Sequence, residues 1–182
     1  FAMQLSEHKK NGARMMGGVP TVIGEFGLPF DINNRKAYRN NNFSEHAEAL
    51  DTYYNVMDSE LLHCFLWNYT AHNTTNYGDI CNSEYLSIFS KDQQKKPEDI
   101  HSGGRAISGF CRPYPQKTSG TPLSIEFNRT SKEFTFTFKP DASISAPTEL
   151  YIPYWHYPDG YTVNISAGSY KKDPKNQRLL VY

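Results

Sequence analysis

One carboxylate stands out by its neighbours. Glu25 follows the apolar residues 20–23, with Gly24 before it and Gly27 two residues later. β-Branched residues favour strands, and a continuous apolar run is typical of a strand covered on both faces, as in a parallel sheet. A carboxylate at the carboxyl end of such a strand lies where α/β barrels carry their catalytic groups. The same residues also fit a strand that ends in a solvated Glu at an ordinary turn, so this motif alone leaves both interpretations open.

A second apolar run, residues 61–67, has the same character and ends at Trp67, before the polar residues 70–82. Between the two runs, Ser44 is a favourable N-cap, and the acidic residues after it suit the first turns of a helix that extends to about Ser59. Two buried strands that alternate with helices predict βα units, with a site at the edge where the carboxyl ends of the strands meet.

The other elements of the first half are assigned from turn residues. Residues 1–16 are predicted to form a helix that ends at a Gly pair. Residues 28–34 are predicted to form a loop, because they contain Pro and Asn. Residues 103–107 are predicted to begin a last helix, which ends at Phe110.

The second half of the chain has a different pattern. Pro113 and Pro115 end the helical pattern, and short runs separated by turn residues predict five strands. These strands are expected at residues 123–127, 133–139, 149–154, 160–166 and 178–182. Within residues 134–138 Phe alternates with Thr, which predicts three phenyl rings on one face of a strand. The pattern is typical of an antiparallel β-sandwich.

The composition excludes several function classes. The 182 residues carry 19 basic and 19 acidic side chains, so neither the net charge nor a basic stripe indicates a nucleic-acid partner. The sequence has no apolar run long enough for a transmembrane segment. The 13 Tyr and 11 Phe, against 2 Trp, fit either a protein core or a surface on which sugars stack.

The cysteines and histidines do not indicate a metal site. Cys64, Cys81 and Cys111 are odd in number and have no metal-ligand spacing with one another or with a histidine, so neither a disulfide framework nor a bound metal is predicted. No cofactor is expected. Reduced thiols favour an intracellular compartment without deciding it. His63 and Cys64 lie inside the second apolar run and are expected to be core residues.

Several motifs together resemble one enzyme family. PTVIGEFG (residues 20–27) is similar to its seventh barrel strand with the catalytic nucleophile, and FLWNY (residues 65–69) is similar to its eighth, with an aromatic platform. Residues 73–79 and 82–88 are similar to its segment after that strand, and residues 104–115 to the exit into a β domain. The chain thereby resembles the carboxyl-terminal part of glycoside hydrolase family 5, in the endoglycoceramidase-related branch that includes fungal glucosylceramidases and steryl β-glucosidases.

The resemblance implies a fold in two parts. Residues 1–111 would be the last βα units of a (β/α)8 TIM barrel, and residues 112–182 would be a C-terminal antiparallel β-sandwich that is incomplete. A full barrel takes about 250 residues, whereas the first part holds only two predicted strands. We therefore expect the upstream remainder of the barrel to be a partner of this chain.

The resemblance also implies a site. Glu25 would be the nucleophile of a retaining β-glycosidase that acts on glucosylated lipids. Trp67 would lie under the sugar, because an indole face contacts sugar C–H groups without requiring hydrogen bonds. Phe26 and Phe30 would line a nearby wall of the substrate site or the approach of the lipid. The alternative for both residues is packing in the core. Three further substrate-binding candidates, for which local turn hydrogen bonds are the alternative, are Asn68, Asn76 and Asp79.

One group that such a reaction requires is missing. A retaining glycosidase needs a second carboxylate about 5–5.5 Å from the first; in the family it comes from an Asn-Glu pair, which does not occur in these 182 residues. We expect the full-length protein to bind and hydrolyse a glycolipid or glucoside, with peripheral membrane contact, and the isolated chain to be inactive. The alternatives are a non-catalytic carbohydrate- or lipid-binding remnant and a structural β-sandwich module.

Overall fold

The computed structural model describes residues 1–80 and 82–182. Cys81, one of the three cysteines considered above, lies outside the described residues. The chain divides into two compact units. The first comprises residues 1–57 and 62–110, and the second comprises residues 58–61 and 111–182.

The first unit alternates helices with two strands. Its helix α3 runs from Ser44 to Ser59, the predicted extent, but Ser44 is its first helical residue rather than its N-cap. The first helix is followed by Gly17 and Gly18, whose φ angles of 69° and 82° suit the glycines that end it. In chain order the elements are α1 (Ala2–Met15), β1 (Val22–Phe26), α2 (Ile32–Asn40), α3 (Ser44–Ser59), β2 (His63–Leu66), a 3-10 turn (Lys91–Gln93) and α4 (Ile107–Phe110).

Strands β1 and β2 pair in parallel, as expected. Val22 lies opposite His63 and Phe26 lies opposite Leu66, so the carboxyl ends of both strands meet at the same edge. The expectation that both strands are covered on both faces is wrong for this chain, because Val22 is 48% exposed and Phe65 is 66% exposed. His63 is also exposed rather than a core residue. The two-stranded sheet therefore has one covered face and one open face.

The core of the first unit lies on the covered face of this sheet. Phe26 and Leu66 pack against it from the ends of β1 and β2. Glu25 and Phe65, the neighbours of Phe26 and Leu66, are both exposed. The pairing of β1 with β2 shifts register between Ile23 and Phe26, so the alternation of side chains is interrupted within β1. The buried members of this core are Leu28, Phe30, Ala47, Leu50 and Ala106.

Two predictions for the first unit are wrong. Residues 28–34 are not entirely a loop, because α2 begins at Ile32. Its first turn is left-handed, with φ near 54° to 57° at residues 33–35, and Asn tolerates this conformation better than most residues. The Asn content that predicted a loop thus marks an unusual helix start. The last helix begins at Ile107 rather than at Gly103, which has φ 83°.

The second unit is built from antiparallel strands. One sheet has four strands in the order β3-β6-β8-β7, and β4 pairs with β5 in a separate hairpin. The strands are β3 (Tyr114–Lys117), β4 (Gly120–Asn128), β5 (Glu133–Pro140), β6 (Thr148–Tyr151), β7 (Tyr170–Asp173) and β8 (Arg178–Val181), with a 3-10 turn (Pro174–Asn176) before the last.

The strand predictions for the second unit failed at two places. Residues 160–166 form no strand. Instead β7, which was not predicted, pairs with β8 at the edge of the sheet. Strand β3 was missed because of Pro115. It is an edge strand of the four-stranded sheet, where a missing backbone N–H is tolerated.

The Phe-Thr alternation in β5 is confirmed. Phe134, Phe136 and Phe138 are half-buried, whereas Thr135 and Thr137 are exposed. Phe134 and Phe136 pack against a core from the four-stranded sheet, so the two sheets of this unit face each other across apolar side chains. The buried members of that core are Leu150, Ile152 and Leu179.

Candidate active site

Glu25 and Trp67 come from neighbouring strand ends. The backbone N–H of Trp67 donates to the carbonyl of Phe26 at 2.7 Å, which continues the parallel pairing past β2. Both side chains are exposed, and Trp67 keeps 41% of its surface accessible. Within residues 1–80 and 82–182, no hydrogen bond or ion pair to the Glu25 carboxylate is formed. The carboxylate is thus available to a ligand.

Gly27 allows the chain after β1 to pass directly against the backbone at Trp67. A Cβ atom at position 27 would lie 2.1 Å from the carbonyl oxygen of Trp67, a distance that no side chain permits. Glycine is therefore required here by close approach rather than by an unusual φ. The next peptide bond, between Trp67 and Asn68, is cis.

Asn68 is held in place by Asp79. Its amide nitrogen Nδ2 donates to Oδ2 of Asp79 at 3.2 Å, and its Oδ1 accepts from the hydroxyl of Thr70 at 3.3 Å. Asp79 is 4% exposed, and its Oδ1 accepts from the backbone N–H groups of Asn82 and Glu84. Both predicted site residues thus belong to one network, in which Asp79 fixes the loop and orients Asn68.

Three polar residues that the sequence analysis missed brace the same loop. The hydroxyl of Ser87 accepts from the backbone N–H of Thr70 at 3.0 Å, and Nδ2 of Asn73 donates to the carbonyl of Phe89 at 2.8 Å. Asp92 accepts from the backbone N–H of Thr75. In the sequence these residues were marked only by a high local content of Asn, Thr and Ser, which is common in turns and does not single out any of them.

The electrostatics of Asp92 agree with this bracing role. Burial raises the pKa of the Asp92 carboxyl, but hydrogen bonds from Ser90 and Thr75 favour the charged form more strongly, and the pKa lies below its ordinary value. The carboxylate is therefore charged and fully engaged with the loop.

Phe26 and Phe30 lie on the covered side of the sheet. Phe30 is 1% exposed and stacks on His46, with the ring centroids 5.0 Å apart. The guanidinium of Arg105 lies 5.3 Å from the centroid of the Phe30 ring. Phe26 is half-buried and meets Tyr54 edge-on at 5.2 Å. Both rings pack in the core, whereas the Glu25 side chain is exposed.

Asn76 is exposed in the loop after Trp67. Its carbonyl accepts from the hydroxyl of Tyr85 at 2.8 Å, and its side chain lines an open cleft of about 450 Å³. The structure thus brings Glu25 and Trp67 to one sheet edge, joins Asn68 to Asp79, and places Asn76 in a cleft of the adjoining loop.

The part of the chain that the structure describes has neither a cluster of metal-ligating side chains nor a membrane-spanning helix. No group of three His, Cys, Asp or Glu side chains there is arranged to hold a metal ion. None of the helices there has the length and apolar character needed to span a bilayer.

Comparison with known proteins identifies the second part of the chain. Residues 112–182 match the model of the glycoside hydrolase family 5 C-terminal domain. This part of the chain is similar to that domain, and the resemblance inferred from the motifs is confirmed by this match together with the relatives. The two strands of the first unit do not by themselves form a barrel.

Relatives extend the similarity over the first part as well. A glucosylceramidase of Rhizopus delemar is 36% identical over 169 residues, which is 85% of this chain and 24% of the relative. An ergosteryl-beta-glucosidase of Saccharomyces cerevisiae is 27% identical and aligns with 97% of this chain and 30% of its own length. The chain thus spans less than a third of either relative.

The fold is similar to that of a solved fungal enzyme. The crystal structure of Cryptococcus neoformans sterylglucosidase 1 matches all of this chain with a TM-score of 0.91 and 29% identity, and the match covers 29% of that structure's chain. Both parts of the chain therefore have counterparts in that structure.

Proposed function

We propose that this chain is part of a retaining β-glycosidase that hydrolyses the O-glycosidic bond of glucosylated lipids. Glu25 is its nucleophile, and Trp67 is the platform under the sugar. The observation that carries the proposal is the parallel pairing of β1 and β2, which brings an exposed, unpartnered carboxylate and an exposed indole to the carboxyl edge of one sheet. This is the edge at which α/β barrels carry their catalytic groups.

In the proposed reaction the Glu25 carboxylate attacks the anomeric carbon of the glycoside and forms a covalent glycosyl-enzyme. The leaving oxygen takes its proton from a second carboxylic acid, which then acts as a base toward the attacking water. Asn68, oriented by Asp79, contributes a fixed amide beside Trp67. The acid/base Glu belongs to a part of the protein outside these 182 residues, because the Asn-Glu pair is absent here.

The domain division follows from the same proposal. Residues 1–111 form the last βα units of a TIM barrel, and residues 112–182 form the β-sandwich after it. The open face of β1 and β2, with Val22 and Phe65 exposed, supports this division, because a barrel strand needs neighbours and an interior on that side. The remainder of the barrel is thus a required partner.

The lipid class is proposed from the relatives. Proteins named glucosylceramidase and ergosteryl-beta-glucosidase both align with most of this chain. We therefore propose glucosylceramide or a steryl glucoside as the substrate, presented to the enzyme at a membrane surface.

The test uses the longer protein that carries this chain. Purified protein is incubated with synthetic glucosylceramide or steryl glucoside in mixed micelles, and released glucose is measured. Glu25→Gln should lower turnover by on the order of 10⁴–10⁶-fold, as removal of a nucleophile does in other enzymes, while lipid glucoside binding is retained because the side-chain volume is unchanged.

Glu126→Gln is the matched control, since Glu126 is an exposed carboxylate of the β domain, and it should leave turnover unchanged. An active Glu25→Gln protein would remove Glu25 from the mechanism. Lipid glucoside binding without any hydrolysis by the unaltered protein would instead support the non-catalytic alternative.

A further inference from the structure

Arg105 is a completely buried cation of the first unit, with an exposed fraction of 0%. Its Nη1 donates to the hydroxyl of Tyr38 at 2.8 Å, whereas Nε and Nη2 have no hydrogen-bond partner among the described residues. A buried arginine is ordinarily paired with a carboxylate, because an uncompensated charge inside a protein costs free energy. A side chain that bears this cost requires an explanation.

Two aromatic rings take the place of a carboxylate. The Cζ atom of Arg105 lies 5.3 Å from the centroid of the Phe30 ring and 5.0 Å from that of the Tyr38 ring. A cation at such distances is attracted by the ring quadrupole, and more strongly where water is excluded. Burial lowers the pKa of the guanidinium, whereas Tyr38 and the charge of Asp92 raise it. Arginine stays charged in proteins, so the cation holds both rings around it.

Backbone hydrogen bonds connect Arg105 to the residue after Trp67. The N–H of Arg105 donates to the carbonyl of Ile88 at 2.7 Å, and the N–H of Ile88 donates to the carbonyl of Asn68 at 2.9 Å. The N–H of Asn68 in turn donates to the carbonyl of Leu86 at 3.3 Å. A short segment is thus bonded to Arg105 on one side and to Asn68 on the other.

Ala106 shows why the position of Arg105 needs an anchor. Its φ is 54°, a left-handed conformation that costs free energy in a residue with a Cβ. Such a conformation persists where the surrounding contacts determine it. The guanidinium supplies such contacts one residue earlier. Its loss would allow this turn to relax and the Arg105 N–H to move away from Ile88.

The side chain of Arg105 also contacts the loop that follows Glu25. Phe30, five residues after Glu25, lies beside the guanidinium, and its N–H donates to the carbonyl of Tyr85 at 2.8 Å. Tyr85 directly precedes the segment that pairs with Asn68. Arg105 is therefore linked to the loops after both strands, which carry the proposed nucleophile and the proposed platform.

We propose that Arg105 is a positioning residue for the proposed reaction, and that its guanidinium, held between Phe30 and Tyr38, sets the position of the Trp67 indole under the sugar. Arg105 acts through the backbone bonds described above and touches no substrate. This inference rests on the proposed glycosidase function and assigns a core residue to the same site. A role in stability alone predicts a different result, because replacing a poorly paired buried charge by an apolar side chain of similar length is often neutral or stabilising.

The experiment uses the longer protein with fluorotryptophan in place of tryptophan. The fluorine NMR resonance that Trp67→Phe removes belongs to Trp67 and reports the surroundings of its indole. Arg105→Met should shift or broaden this resonance and raise the KM for a steryl glucoside about tenfold, below the 10²-fold that a misplacement of about 1 Å can cost. The kcat should change less, because the indole contacts the sugar in the ground state as well. Arg105→Lys keeps a cation beside the rings and should retain both the resonance and the KM.

Arg112→Met is the matched control. Arg112 is also a buried arginine, but its Nη2 pairs with Oδ2 of Asp58 at 2.9 Å in the second unit. Its replacement breaks this ion pair and should lower the melting temperature, while the Trp67 resonance stays in place. Arg105→Met should have the opposite pattern, with a displaced resonance at an unlowered melting temperature.

The outcomes distinguish this inference from the proposed function. An unchanged Trp67 resonance in Arg105→Met, or equal shifts in Arg105→Met and Arg105→Lys, overturns the positioning role. If Arg105→Met does not fold, Tyr38→Phe takes its place, because it removes only the hydroxyl that accepts from Nη1; an unchanged resonance there overturns the role as well. The resonance is recorded without turnover, so absence of hydrolysis by the wild-type protein bears on the proposed function alone.

Discussion

Gly27 controls how closely the backbone at Trp67 approaches the end of β1. A Cβ at this position would overlap the Trp67 carbonyl oxygen, whereas a Cβ at Gly24 meets no described atom within 4 Å. We expect Gly27→Ala to lower the free energy of unfolding by about 1–3 kcal/mol, the usual cost of overpacking. Trp67 should also be displaced, with a loss of glucoside affinity.

The measurement is urea unfolding of the longer protein, together with titration of a glucoside. Gly24→Ala is the matched control for stability, because it adds the same methyl group three residues earlier, inside β1. Equal destabilisation by the two substitutions would contradict the close approach inferred at Gly27.

At the scale of single residues, motifs predicted the position of a side chain better where a strand ends than where a loop begins. Glu25 and Trp67 could be assigned to one sheet edge because each closes an apolar run. Phe30 lies only three residues beyond Gly27, yet its ring is in the core, since sequence distance from a motif does not determine which way a loop side chain faces.

At the scale of elements, regular patterns were predicted well and turns poorly. Helix α3 and the alternation in β5 follow from the acidic first turn and from a strict period of two. The start of α2 depends on a left-handed backbone at residues 33–35, which the same Asn residues would also allow in a loop. Strand β7 forms in place of residues 160–166 because it pairs with β8, and such pairing is not local, so propensity alone could not reveal it.

Phe136 tests the register of β5 in the β domain. It packs against the core of the facing sheet and stacks on Phe138 with ring centroids 5.4 Å apart. Because its ring is only partly buried, we expect Phe136→Ala to cost about 2–3 kcal/mol, below the 3–5 typical of full burial. Thr135→Ala, on the exposed face, should change the free energy of unfolding by less than about 0.5 kcal/mol. Urea melts that shift equally for both variants would show the register to be wrong.

His156 should make the stability of the β domain depend on pH. Burial lowers the pKa of the imidazole, and the nearby positive charges of Lys132, Arg112 and Arg129 lower it further. A hydrogen bond with the Cys111 backbone raises the pKa, but the net shift is downward. The unfolded state then binds the proton more readily. Stability is therefore complete above the ordinary His pKa of about 6.5 and is lost as the pH falls through it toward the lowered value.

The comparison is the urea midpoint at pH 7.5 and at pH 5.0 for the wild type and for His156→Gln. The wild type should lose more stability on acidification than the variant, since carboxylates contribute equally to both. An identical loss in both proteins would mean that His156 does not carry this dependence.

At the scale of the whole molecule, the chain presents apolar side chains that it cannot itself cover. Val22, Phe65 and Trp67 are exposed on or beside the open face of β1 and β2. The sequence alone suggested strands buried on both faces. Under the proposed function, these exposed side chains are the ones that the other strands of the barrel would cover.

Our last prediction is that the isolated chain does not hydrolyse glucosides although it carries the proposed nucleophile. Attack at the anomeric carbon must be accompanied by protonation of the leaving oxygen, and general acid assistance contributes about 10²–10⁴-fold. Glu25 cannot supply both functions. A dinitrophenyl leaving group needs little protonation, so residues 1–182 should become slowly and covalently labelled at Glu25 by a dinitrophenyl 2-fluoroglucoside, and Glu25→Gln should not. Mass spectrometry detects the label and a glucose assay detects turnover, so robust glucose release by the isolated chain would show that the required acid lies within these residues after all.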